Sequence, residues 1–390
     1  MSSGTGIPGP RDDPYGWYAG LRQEGPAVWH PALQAWLIPG YRECVSLLAD
    51  PRVRKDRTYD ELSPEAAASP LLRMRSLWIL MRDGDYHRRV RPIVARALSR
   101  SAVAQLNEMV TAECEAITAG LAGGGQFDLM SEVAAPLPFR IVARLLEVPP
   151  RFDDSLRLAS SVLFRTLEPG VTPQLWQAAE KSTAWLTELF TRHLAAGSFK
   201  HGTVIAAIAT ALRSGELSLE EAVATCTLMF IAGHETTSQF IGNAVLALAH
   251  RPDLLADPGW DHEHNAVDEL WRYDTSIQST VRICTESLDV GDVRIPAGDK
   301  LIFLLGSANR DERVFAQPDT IDFHRERRPH LGFGFGGHYC LGAGLARLEV
   351  ASLLRSLRAR GTAWKIDHHA VEWSSSLTAR GPRRIPMALG

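Results

Sequence analysis

Lysine is scarce in this chain: of 42 basic residues only Lys55, Lys181, Lys200, Lys300 and Lys365 are lysine, and the rest are arginine, a bias of GC-rich coding sequence. Cysteine is sparse too. Cys44, Cys114, Cys226, Cys284 and Cys340 are odd in number, far apart and without any C-x-x-C, which excludes a disulfide framework and a structural zinc site and fits a reducing cytoplasm. Charge of one sign is missing: the 390 residues carry a formal net charge of −3, so there is no electrostatic case for nucleic acid or an anionic membrane as partner. The first ten residues are rich in Gly, Ser and Pro and lack the apolar stretch and basic flank of a secretion signal. No run is apolar enough for a membrane span, and no repeat or low-complexity tract divides the chain, which reads as one unit over residues 1–390.

What is present is mostly helical periodicity, from about Ser99 to Ala249, punctuated at Gly123-Gly124-Gly125, Pro149-Pro150 and Pro169-Gly170. Strand-like pieces are few: 27–30, 35–37, 287–295 and 300–305, the last two flanking a Pro296-Ala297-Gly298 turn. The expected class is therefore mainly α with small β-sheets, α+β in type, and not an alternating βαβ fold. One helix dominates. Ser218-Leu219-Glu220-Glu221 reads as a capping box, and the apolar pattern then continues past Gly233 to Ala249, with Pro252 as its stop. About thirty residues at ~1.5 Å each span ~45 Å, enough to cross a whole domain.

Two stretches depart from what packing alone would select. The first is Phe333-Gly334-Phe335-Gly336-Gly337-His338-Tyr339-Cys340-Leu341-Gly342. Gly336 and Gly337 let the chain turn tightly beneath a flat cofactor, and Gly342 lets the following helix approach closely. Backbone N–H groups aimed at the Cys340 sulfur, with a helix start beyond it, favour a thiolate able to bind a metal. The second is Ala232-Gly233-His234-Glu235-Thr236-Thr237, a polar interruption in the middle of the long apolar helix. Glycine there costs about 1 kcal/mol relative to alanine, and a threonine hydroxyl that bonds the Ala232 carbonyl distorts the ladder and opens room for a small ligand and a water. Glu235 and Thr236 then form an acid and alcohol relay for protons.

The first stretch resembles the haem-ligand loop of the cytochrome P450 family, Phe-x-x-Gly-x-His/Arg-x-Cys-x-Gly, at Phe333, Gly336, His338, Cys340 and Gly342; the second is similar to that family's oxygen-activating helix at every position. The resemblance implies haem b as cofactor, Cys340 as the axial thiolate that favours O–O cleavage, Ala232 over the haem face, and Glu235 and Thr236 as catalytic residues. It extends to an E-x-x-R motif, Glu269 and Arg272, with Arg325 as the third member of a structural lock behind the haem. It also extends to a propionate set: His87 and Arg91, at i and i+4 on a helix starting near Asp85, together with Arg282 and His338. Arg88, Arg89 and Arg96 on the same helix are left for the acidic patch of a redox partner.

Taken over the whole chain, the resemblance implies a cytoplasmic, monomeric bacterial haem-thiolate monooxygenase of actinobacterial type. It would use O2 and electrons from a separate ferredoxin and ferredoxin reductase to oxidise a C–H bond, an aromatic ring or a heteroatom of a small natural-product-like molecule. Radical C–C or C–N coupling without oxygen insertion and non-catalytic haem-based sensing are the alternatives. Substrate-contacting segments are expected at 72–81 and 162–176, at Leu228 and Met229, and at 276–280 and 373–377, with Trp78, Phe164, Met229 and Trp373 as an apolar, aromatic wall. Arg73, Arg75 and Arg165 are candidate anchors for a substrate carboxylate.

Overall fold

The computed structural model describes residues 13–55, 63–121, 125–168, 171–374 and 378–390. The expectations placed on residues 1–10, on Gly123 and Gly124, on Pro169-Gly170 and on 375–377 lie outside the described residues. Helices dominate. Those that build the site are α1 (Tyr41–Leu48), α2 (Gly84–Ala97), α3 (Pro136–Leu145), α4 (Asp153–Arg165), α5 (Leu219–Ala249), α6 (Glu263–Tyr273) and α7 (Ala343–Arg360).

The capping box of α5 forms as expected: the Ser218 side chain accepts from the Glu221 amide and the Glu221 carboxylate accepts from the Ser218 amide, and the helix runs unbroken for 31 residues to Ala249. It threads the largest of three apolar clusters, which gathers most helices. Among the described residues, no helix is long and apolar enough to cross a membrane.

The main sheet has five strands, β1 (Val28–His30), β2 (Ala35–Ile38), β3 (Val53–Arg54), β4 (Ser279–Cys284) and β5 (Lys300–Leu304), in the order β1-β2-β5-β4-β3. Only the β2–β5 pair is parallel. The sheet and α1 form a second core around Ile38, Leu301 and Phe303. β4 is absent from the sequence-based expectation although Thr280, Val281 and Ile283 suit a strand. Its arginine in the middle obscured it. The expected single strand 287–295 is instead a hairpin, Leu288–Val290 against Val293–Ile295, because Gly291 adopts φ +59° and turns the chain back through Gly291-Asp292. Two further small sheets join the C-terminal strands to Phe127–Asp128 and Trp364–Ile366, and Glu372–Trp373 to Pro382–Arg384.

Candidate active site

The loop from Leu331 to Gly342 lies at the seam of the two cores. Leu331 and Phe335 pack with the sheet core, while Phe333 between them turns into the helical core, 4.4 Å from the Trp271 ring. Two glycines make this path possible. Gly334 and Gly336 both adopt φ +72°, and a Cβ on Gly336 would stand 2.9 Å from the Leu48 carbonyl oxygen at the end of α1. The Cys340 amide donates to the Phe333 carbonyl (2.9 Å), closing the loop, and α7 begins at Ala343.

Four of the five cysteines are buried; Cys340 alone is exposed. Its sulfur presents free surface although protein surrounds it closely, as expected of a group facing an internal space. That enclosure raises the thiol pKa, while the Gly342 and Ala343 amides and the charges of Arg91 and Arg347 pull the other way. Those are the contacts that stabilise a thiolate once a metal removes the proton.

Along α5 every residue from Ala222 to Leu246 is buried except Met229, Ala232, Gly233, Glu235, Thr236 and Gln239. Most of these recur at i, i+3, i+4 and i+7, so they form one face of the helix. Ala232 is exposed between buried Ile231 and His234. A small apolar residue exposed at mid-helix in the centre of the protein marks an open space, not solvated surface. Thr236 Oγ1 donates to the Ala232 carbonyl (3.1 Å), as expected, but the helix stays α-helical throughout, so the room beside it comes from small side chains and not from a distorted ladder. Gly233 has a packing role as well, because its Cβ would lie 2.7 Å from Val142 Cγ2 on α3. His234 points away from the open face: Nδ1 lies 2.7 Å from the Phe230 carbonyl and Nε2 lies 3.3 Å from Ser160 Oγ on α4 and 3.5 Å from Glu235 Oε1.

The four expected propionate partners converge. The His87 and His338 rings are 4.4 Å apart, and Arg91 donates to the Tyr339 carbonyl beside Cys340. His87 Nε2 is buried without a hydrogen-bond partner. Arg282, on β4, is 5% exposed and donates to Thr280 Oγ1 (2.9 Å) and the Val281 carbonyl (2.8 Å), both neutral. Desolvation lowers its pKa to about 10, against the opposing charge of Asp83. A buried guanidinium with only neutral acceptors and an orphaned imidazole are what an anionic cofactor edge would satisfy.

The lock behind the loop is complete. Glu269 on α6 holds Arg272 through two bonds (2.7 and 2.8 Å) and Arg325 through two more (3.0 and 3.2 Å) and also accepts from the Asp322 amide (3.0 Å). Arg272 reaches on to the carbonyls of Asn309, Pro318 and Thr320, fixing the segment that leads into the loop.

Several expectations need correction. Arg89 is not free for a partner: it pairs with Glu221 (2.5 Å) and the Glu216 carbonyl, bracing α2 against the start of α5. Arg88 pairs with Asp85, whereas Arg96 is exposed. Arg75 is buried and donates to the Thr166 carbonyl (2.9 Å) at the end of α4, where it caps a helix and does not await a substrate. Trp78 has no exposed surface and belongs to the packed core. Phe164 and Met229 are half-buried. Trp373 lines a cleft of about 370 Å³ with His368, His369, Ala370, Val371, Glu372 and Arg384, which includes none of the other three aromatic-wall candidates.

Asp83 escaped the sequence reading. Its carboxylate bonds His338 Nε2 (2.7 Å) and the Lys55 amide (2.6 Å) and lies 3.8 Å from Arg54. No spacing rule links it to residues 255 positions away.

The model of the family described as "Cytochrome P450" matches residues 171–257 and 264–358. The chain is 32% identical to cytochrome P450 107B1 of Saccharopolyspora erythraea over 92% of its own length and 90% of that protein's. It is 32% identical to the cytochrome P450 monooxygenase PikC of Streptomyces venezuelae, covering 96% and 91%. Its fold superposes with TM-score 0.90 on the crystal structure of P450BioI in complex with hexadec-9Z-enoic acid ligated acyl carrier protein, at 27% identity and covering 97% and 98%. A glycine-turned loop presenting Cys340, an open face on the long helix, a cationic cradle and a buried Glu-Arg-Arg cluster thus coincide with relatedness along nearly the whole chain. The protein belongs to the cytochrome P450 family, whose cofactor is haem b.

Proposed function

We propose that the protein is a haem-thiolate monooxygenase that uses O2 to oxidise a small, neutral, partly aromatic natural-product-like molecule. The observation that carries this reading is the open stripe of α5, where Ala232, Gly233, Glu235 and Thr236 interrupt an otherwise buried helix. Haem, when bound, supplies the activation of dioxygen and the oxidation of the substrate. Cys340 donates the thiolate, with the Gly342 and Ala343 amides tempering its charge. Arg91, Arg282, His87 and His338 hold the propionates. Thr236, bonded to the Ala232 carbonyl, exchanges that bond for one to an incoming water or ligand, and Glu235 feeds it protons from the side held by His234 and Ser160. The wall formed with Met229 and Phe164 is apolar and excludes bulk water.

Electrons would come from a separate ferredoxin and its reductase, which would dock where Arg96 is exposed. Five unpaired cysteines support a cytoplasmic location. Kinship with a protein named as a monooxygenase favours oxygen insertion over radical coupling, and a haem sensor would have no use for Glu235 and Thr236.

The test is a panel of small molecules scored by the shift of the ferric haem absorption band, followed by product analysis with a reconstituted redox chain. Neutral fused-ring compounds are expected to shift the band more strongly than short fatty acids of similar mass, and products to gain one oxygen atom. A response confined to fatty acids overturns the substrate class, and coupled dimers without added oxygen overturn the monooxygenase reading.

A further inference from the structure

The cationic cradle holds one residue that none of the family motifs includes. Lys55 follows β3, and its chain is pinned there by the bond from its amide to Asp83 Oδ2. Its ammonium is close enough to Arg282, His87 and His338 for its charge to register at all three, and protein encloses it. Among the described residues Asp83 is the carboxylate whose charge acts on both Lys55 and Arg282, and it is already shared by His338, the Lys55 amide and Arg54. Among the described residues neither Lys55 nor Arg282 makes an ion pair. Two desolvated cations side by side repel, and among the described residues that repulsion is offset only by a carboxylate already engaged with other donors. The antiparallel register that pairs Val53 with Cys284 and Arg54 with Ile283 brings Lys55 next to Arg282, and a cleft of about 480 Å³ is lined by its neighbour Arg54 together with Asp83, Arg282, Gly337 and His338. A pair of adjacent carboxylates is the ligand chemistry that this arrangement fits.

We propose that Lys55 is a further haem-propionate partner, acting beside Arg282 and held in place by the bond of its own amide to Asp83. Its strand sits at the edge of the main sheet, next to β4. The propionate edge is therefore gripped from the sheet by Lys55 and Arg282 and from the helical side by His87 and Arg91. The inference rests on the haem-thiolate reading and deepens it by one residue.

The experiment compares wild type, Lys55→Met and Lys55→Arg, each reconstituted with haem and, separately, with the iron protoporphyrin whose two propionates are methyl esters. The rate of cofactor transfer to excess apomyoglobin is read in each case. Lys55→Met is expected to lose haem about tenfold faster, the scale of one charged hydrogen bond, and Lys55→Arg to stay near wild type. With the diester the three rates should converge, because the charge that Lys55 recognises is gone. Equal haem loss from wild type and Lys55→Met overturns the assignment, as does an equal acceleration with both cofactors, which would mark a merely structural lysine. A wild-type chain that takes up no haem overturns the cofactor reading itself, and this inference with it.

Discussion

Asp83 Oδ1 lies 2.7 Å from His338 Nε2, tying the residue that precedes α2 to the ligand loop two positions before Cys340. Burial pushes the His338 pKa down from 6.5 to about 4 despite the opposing bond from Asp83. In the haem-free protein the imidazole is therefore neutral at pH 7 and donates to an ionised Asp83, whereas a propionate beside Nδ1 would favour the second proton. Burial would raise the Asp83 carboxyl, but the His338 and Lys55 bonds outweigh it and hold the group below the usual carboxylate range.

The sign of the pH dependence follows from that pair. Between pH 6.5 and about 4 the unfolded chain takes up a proton at His338 that the folded chain refuses, so stability of the haem-free protein falls as pH falls. At ~1.4 kcal/mol per pKa unit the loss reaches at most about 3.5 kcal/mol. Below that window Asp83, whose folded pKa is depressed, adds a further loss. Urea unfolding at a series of pH values should show this slope and His338→Gln should flatten it; an unchanged slope in the variant refutes the assignment.

Cys340→Ser should abolish the strongly red-shifted absorption of the ferrous carbon monoxide adduct. The other four thiols are buried, and two of them are engaged as well: Cys44 bonds the Ile38 carbonyl and Cys284 the Glu286 carbonyl. A Cys340→Ser protein that kept the band while Cys284→Ser lost it would reverse the ligand assignment.

Thr236→Ala should keep haem and substrate binding but divert reducing equivalents to peroxide or water. Glu235→Gln should slow turnover while leaving the ferric spectrum intact. Product formed per electron consumed is the measurement, and unchanged coupling in both variants removes the relay.

Glu269→Gln leaves two arginines beside a neutral amide in a site where Glu269 and Arg272 are 6% and 2% exposed. Removing one partner of a buried ion pair costs roughly 3–5 kcal/mol, so the variant should accumulate poorly and melt well below wild type. Arg325→Ala, at a more exposed site, should cost less. A Glu269→Gln protein with wild-type melting shows that the lock is dispensable.

The fold class and the long helix with its capping box were legible because each is a local pattern with a physical cause, and local motifs likewise marked the Cys340 loop and the Glu269, Arg272 and Arg325 that meet in ion pairs. What escaped depends on distance in the chain. β4 was hidden by Arg282, a charged residue at a buried position, and Asp83 and Lys55 gain meaning only when the sheet edge folds against α2. Arg75 read as a candidate substrate anchor and Arg89 as a charge left for a redox partner because nothing local reveals that Thr166 and Glu221 lie opposite them. Trp78 was misjudged for the converse reason, since an aromatic at helical spacing looks alike in a core and in a cavity wall.

Leu331, Phe333 and Phe335 alternate between the sheet core and the helical core, so the loop that carries the ligand also stitches those cores together. Cofactor binding should therefore act as a cooperativity switch. Loaded protein should melt in a single calorimetric transition, whereas haem-free protein, with its seam bordering an open cavity, should resolve into two, the sheet core and the helical core unfolding at separate temperatures.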